Sequence, residues 1–293
     1  AGLLYLDRNQ NLDLTDDGPG IPSQTLGYGD FRNIPVTLTH DGIAVQYALD
    51  VKSFFSYYAY ANIRSGWEGD LEIGGKTVQV GLADNLDGQF DEKDLFFFDH
   101  ARHREARLPF GDLDHVNLPN WIYFEGRCYR IDFSFRSEGD ETVVAATIEP
   151  IAGNLIELHF EGRHVSRVMI ADRNTIGMLD WPESVMMIPQ GRYFSKRVDV
   201  LDSFTSTRMT SWEFGQTSPA VLKTGGPLHK RISITRSGPS LDLNYELAGF
   251  DETGYHTDNR IANPAFAVYR GDRKVGEGTF RYGGGGFCWY SWR

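Results

Sequence analysis

The residues whose chemistry is easiest to name are alternating Asp and Asn side chains gathered in turns. The fullest set is Leu82-Ala83-Asp84-Asn85-Leu86-Asp87-Gly88-Gln89-Phe90-Asp91-Glu92-Lys93-Asp94, which follows an apolar run. In a frame of twelve places starting at Ala83, Asn85 is third, Asp87 fifth, Gly88 sixth, Phe90 eighth, Asp91 ninth and Asp94 twelfth. Calcium takes about six to eight hard oxygen ligands, and donors at alternate positions can wrap around one ion. Glycine at the sixth place permits the sharp turn such a loop needs, and an apolar eighth residue can anchor it in a core. The spacing therefore points to Asp84, Asn85, Asp87, Asp91 and Asp94 as calcium ligands. Asp, Asn and Gly are also ordinary turn residues, so a purely structural loop is the alternative.

This loop resembles those of EF-hand, dockerin and thrombospondin type 3 repeats. It departs from them at the first place, where Ala83 has no carboxylate and Asp84 would have to substitute. The flanking segments read as strands, so the resemblance implies the loop chemistry and not the EF-hand fold. A second copy, Asp7 to Gly18, alternates Asp7, Asn9, Asn11 and Asp13 and adds Asp16 and Asp17, but lacks Gly at the sixth place. A third, Ile170 to Glu183, holds Asp172, Asn174, Gly177, Asp180 and Glu183, yet Ile176 stands where a ligand is needed; a structural turn is the better reading there.

Competing chemistries are weaker. His100 and His103 are three apart, with His115 beyond, but Arg102, Arg104 and Arg107 crowd any zinc ion. There is no G-x-S-x-G elbow, P-loop, H-E-x-x-H or dinucleotide fingerprint, so no enzyme is expected, although abundant Asp and Glu leave a two-carboxylate hydrolase open. Aromatic groups at Tyr57/Tyr58/Tyr60, Trp121/Tyr123/Phe124 and Trp289/Tyr290/Trp292, with Trp67 and Trp212, could stack on sugars; the core reading is favoured for each.

The elements that must hold these loops are strands. Val45, Tyr47, Leu49 and Val51 alternate with polar residues, as do Tyr129, Ile131, Phe133 and Phe135, and Leu241, Leu243, Tyr245 and Leu247. Shorter alternations occur at Ile156/Leu158/Phe160 and Val198/Val200. A period of two means one buried and one wet face. Helical signal is confined to His100–Leu108. The expectation is an all-β chain of two closely packed antiparallel β-sandwich domains, 1–150 and 151–293, divided near Pro150–Asn154. Ile188-Pro189-Gln190-Gly191-Arg192-Tyr193 resembles the Pro-x-Gly-x-Tyr turn of transthyretin-like and carboxypeptidase-regulatory-like sandwiches. That resemblance implies that Tyr193 packs on the end of a sandwich.

The 293 residues carry a formal net charge of −11, with 13% aromatics. So acidic a chain is a poor partner for nucleic acid or an anionic membrane, and it is too aromatic for disorder. No run of apolar residues is long enough to span a bilayer. Cys128 and Cys288 either pair or are two buried thiols. The start at Ala1-Gly2 fits a chain trimmed after a small residue, and an engineered start would read the same. Together the loops and strands suggest a secreted or cell-surface β-sandwich protein, stabilised by Ca2+, with a structural or adhesive role. The apolar Leu3-Leu4-Tyr5-Leu6 suggests self-assembly into a fibre by strand addition. The alternative is a carbohydrate-binding or accessory module of a secreted hydrolase, with surface glycans as partners.

Overall fold

The structure, a computed structural model, describes residues 2–7, 11–25, 29–40, 42–54, 58–63, 65–85, 89–91, 93–99, 116–139, 141–172, 175–201, 204–206, 219–238, 240–256, 264–282 and 288–292. Among them every regular element is a strand. The first nine are β1 Leu3–Leu4, β2 Ile21–Pro22, β3 Gly29–His40, β4 Ile43–Phe54, β5 Tyr58–Ile63, β6 Trp67–Ile73, β7 Lys76–Ala83, β8 Leu95–Asp99 and β9 Val116–Asn117. Ten follow: β10 Trp121–Phe124, β11 Arg127–Glu138, β12 Glu141–Pro150, β13 Leu155–Glu161, β14 Val165–Ala171, β15 Ile176–Asp180, β16 Val185–Pro189, β17 Phe194–Val200, β18 Phe204–Ser206 and β19 Ala220–Lys223. The last seven are β20 His229–Ser237, β21 Ser240–Ala248, β22 Gly254–Tyr255, β23 Ala265–Arg270, β24 Arg273–Thr279, β25 Arg281–Tyr282 and β26 Cys288–Trp292. The helical turn expected at His100–Leu108 lies outside the described residues.

The chain divides into two compact units: Ala1–Pro119 with Ile131–Ile148, and Asn120–Arg130 with Glu149–Arg293. The division falls inside β11 and β12.

In the first unit β3, β4 and β5 form one antiparallel sheet and β6, β7, β8 and β9 another. Alternation decides which side of each strand is buried: Val45, Tyr47 and Leu49 turn inward along β4. Phe31, Ile34 and Leu49 make a core on which Leu4, Leu6, Ile21, Val36, Val51 and Ile63 pack. The N-terminal strand β1 pairs antiparallel with β2, Leu3 opposite Pro22 and Leu4 opposite Ile21, within its own unit. Thr142 Oγ1 of β12 donates to the Ala44 carbonyl of β4 at 3.0 Å.

The second unit contains a β-sandwich. One layer orders β10, β15, β14, β17 and β18; the other orders β16, β13 and β19. Ile156, Leu158 and Phe160 of β13 face Val168, Ile170, Leu179 and Val198 across the core, joined by Met186, Ile188 and Leu222. Each fully buried side chain of this kind contributes roughly 1.5–3 kcal/mol. Most pairings are antiparallel, but β10 runs parallel to β15 and β13 parallel to β19. Gly177 of β15 sits beneath the Trp121 indole: a Cβ there would lie 2.1 Å from Trp121 Cζ2, so no larger residue fits. Tyr193 is buried in this core and its hydroxyl donates to the Pro189 carbonyl at 2.9 Å, tying the Pro-Gln-Gly-Arg-Tyr turn to the strand end. Cys128 is a free, buried thiol whose Sγ–H donates to the Met187 carbonyl at 3.3 Å. The remaining strands build a sheet ordered β20, β21, β26, β25 and a hairpin of β23 with β24, around Leu243, Tyr245, Phe266 and Phe280.

Candidate functional site: the loop between β7 and β8

Strands β7 and β8 pair antiparallel, with Ala83 opposite Leu95, so residues 84–94 are the connection of a β-hairpin. Leu82, Ala83, Phe96 and Phe98 fix its base in the core. Asp84 leaves β7 and Asp94 enters β8, and both residues are 0% exposed. Burying two like charges at one point is costly unless each is bonded or neutralised.

The bonding is specific. Asp94 Oδ1 accepts from the Asn85 amide at 2.7 Å and Oδ2 from the Asp91 amide at 2.6 Å, bracing both ends of the loop. Each oxygen keeps a further lone-pair direction. Burial drives the Asp94 pKa upward from 3.8 to about 6, helped by the charges of Asp84 and Asp91 and opposed by the two amides. Asp91 accepts from the Lys93 amide at 2.7 Å and pairs with Lys93 Nζ at 3.1 Å. Phe90 anchors the loop as its eighth place suggested: its ring lies 4.6 Å from Phe135 and 5.8 Å from Trp67.

Asp84 has a partner that spacing does not reveal. The Tyr47 hydroxyl donates to Asp84 Oδ2 at 2.8 Å, and His40 Nε2 stands 3.1 Å from the same hydroxyl. Tyr47 reads in the sequence only as a member of an alternating strand, and His40 carries no signal there at all. Nothing in a period of two announces a hydroxyl aimed at a loop 37 positions later.

Of the expected ligands, the structure therefore brings Asp84, Asn85, Asp91 and Asp94 into one hairpin connection, while Asp87 lies outside the described residues. Among the described residues no group of three or more His, Cys, Asp or Glu side chains converges as a metal cluster would.

The Asp7–Gly18 loop is differently made. Asp7 accepts from the Asn11 and Leu12 amides at 3.1 and 2.7 Å, and Asn11 Nδ2 donates to Asp16 at 2.8 Å. Asp13 accepts from the hydroxyl and the amide of Thr15, which holds its pKa below 3.8. Asn11, Asp13 and Asp16 are exposed, Asp17 is half-buried, and Asn9 lies outside the described residues. The Asp172 loop is a tight hairpin turn: Asp172 accepts from the Thr175 amide at 2.8 Å, and Ile176 and Gly177 already belong to β15.

Trp121, Tyr123 and Phe124 are buried, so that aromatic row is core. Trp67 packs on Tyr47, Phe90 and Phe135. His100, His103, His115, Tyr57 and Trp212 lie outside the described residues, as do the side chains of Tyr58, Tyr60, Trp289, Tyr290 and Trp292. No family model, no curated protein and no solved structure matches the chain.

Proposed function

We propose that this is a non-enzymatic, calcium-stabilised β protein of the cell exterior, with a structural or adhesive role, in which the β7–β8 loop takes the ion. The observation that carries the reading is the pair of fully buried carboxylates, Asp84 and Asp94, closing one loop that also bears Asn85, Asp87 and Asp91. A divalent cation offsets the like-charge burial that now pushes Asp94 upward. Asp7, Asn11, Asp13, Asp16 and Asp17, with Asn9, form a second, weaker loop for the same ion.

The loop is not furnished for tight binding: Ala83 stands at the first ligand place, Asp94 already serves two amides, and Lys93 competes for Asp91. We therefore assign it to the weak class of about 10⁻⁴–10⁻³ M, the class that extracellular modules occupy.

Thermal unfolding with calcium and with chelator tests the reading. At calcium ten times Kd, binding to the folded form alone adds about 1.4 kcal/mol. For a unit of this size that raises Tm by roughly 4–8 °C. An unchanged Tm, with no calcium bound in equilibrium dialysis, would refute it.

A further inference from the structure

Strand β20 is the outer strand of its sheet: β21 pairs with one side of it, and among the described residues no strand pairs with the other. The pairing with β21 runs from His229 opposite Ala248 to Ser237 opposite Ser240 without a register shift. Directly opposed side chains share a face, so Lys230, Ile232, Ile234 and Arg236 stand on the face of Leu247, Tyr245, Leu243 and Leu241. Leu243 and Tyr245 pack on Phe280 there, yet Ile232 is 53% and Ile234 65% exposed. The apolar row thus continues past its core onto an open, unbulged strand, the kind of edge that recruits another strand. Arg231, on the other face, is held by Glu246 and Glu252. Among the described residues no carboxylate pairs with Lys230 or Arg236. These end charges exclude one occupant and select another. A second β20, in the register that sets Ile232 against Ile234, would put Lys230 opposite Arg236, and like charges directly opposed are destabilising.

The complementary occupant is a strand with acids at its ends and an apolar middle, and the chain has one. β12 is the outer strand of its sheet. Glu141, Val143, Ala145, Thr147 and Glu149 alternate along one of its faces; Glu141, Thr147 and Glu149 are exposed, Val143 and Ala145 half-buried. Thr142, which reaches the Ala44 carbonyl, belongs to the other face. Of the described outer strands, β12 alone bears acids at both ends of one face with apolar residues between them.

We infer that β20 of one molecule receives β12 of a second copy as a further antiparallel strand. Arg236 then lies opposite Glu141, Ile234 opposite Val143 and Ile232 opposite Ala145, while Lys230 meets Thr147 and reaches diagonally to Glu149. Receiving and donated edges differ, so the contact is heterologous and propagates, closing into a ring or running on as a filament. It supplies the structural role proposed above with a contact and does not depend on the loop's ion.

The test is sedimentation velocity with electron microscopy on the full chain in chelator. The parent should assemble beyond the monomer as its concentration rises. Two double variants, Lys230→Glu with Arg236→Glu and Glu141→Arg with Glu149→Lys, should each assemble about 10-fold more weakly or worse. Mixed in equal amounts, the two should recover the parent's assembly, because each then meets the opposite charge at both of its edges. Neither general stickiness nor a folding defect produces that recovery. Should the β12 variant not fold, Ile234→Lys decides: it should lose assembly while keeping the parent's near-ultraviolet circular dichroism. A parent that stays monomeric, double variants that assemble as the parent does, or a mixture that does not recover would each overturn the inference; so would Ile234→Lys assembling normally. Calcium binding is measured separately, so a chain that assembles without taking the ion refutes the loop reading and leaves this one standing.

Discussion

Replacing Asp94 with asparagine isolates the cost of its buried charge. The folded-state pKa of about 6 exceeds the ordinary 3.8 by roughly two units, so the native state holds this proton more tightly than the unfolded chain does. Below about pH 4 both states are protonated. Between about pH 4 and 6 the unfolded chain has released the proton and the native state has not. Stability therefore falls as pH rises, by up to about 1.4 kcal/mol per unit, and the accumulated loss above pH 6 is about 3 kcal/mol. The asparagine side chain cannot titrate. It keeps one acceptor for the Asn85 or Asp91 amide and turns an NH2 toward the other, at a cost of about 1–3 kcal/mol that does not vary with pH. Urea unfolding in chelator, from about pH 4 to 7.5, should show Asp94→Asn less stable than the parent at the acid end. The difference should shift by about 3 kcal/mol in the variant's favour by pH 7. Groups that do not interact with Asp94 cancel in that difference, whereas Asp84 and Asp91, whose charges act on it, contribute a remainder. In calcium at pH 7 the parent should gain stability and the variant should not. A difference between the two chains that stays constant across the pH range would refute the argument that Asp94 carries a buried, unfavourable charge.

Other substitutions probe the second unit. Gly177→Ala puts a methyl into the Trp121 indole and should cost about 3 kcal/mol or more in urea unfolding, because the obstruction is the body of a ring already packed in the core. A loss under about 0.5 kcal/mol would mean that the Trp121 ring moves freely. The Cys128 thiol is pushed up to about 12 by burial, so in a Cys288→Ser chain it should react with a disulfide reagent at about pH 8 only as fast as the protein unfolds. Rapid labelling of the folded chain would contradict its burial.

Several features of this protein are readable from spacing alone. Ile156, Leu158 and Phe160 alternate and do line one face of β13; the same holds for Val45, Tyr47 and Leu49 on β4. That legibility is physical: successive side chains of a strand point to opposite sides whatever lies around them. The Asp84–Asp94 segment is likewise recognisable as a connection, because polar turn residues interrupt two apolar runs that then pair. The β14–β15 stretch is harder to read, since Met169 and Met178 are buried as well as Val168 and Leu179, and a strand covered on both faces loses its alternation.

Partnership between distant residues is decided only by the tertiary structure. The parallel pairings of β10 with β15 and β13 with β19 join segments separated by long stretches of chain, and a local period carries no information about which strand lies alongside. Gly177 reads in the sequence as a glycine of a structural turn and proves to be the space an indole needs. Asp94 reads as a terminal ligand, and its raised pKa arises from burial and from neighbouring charges that exist together only in the folded chain. Tyr47 and His40 acquire their reach to Asp84 in the same way. Alternation dictates that Tyr47 turns inward; what its hydroxyl meets there is set by how β4 and the end of β7 come together.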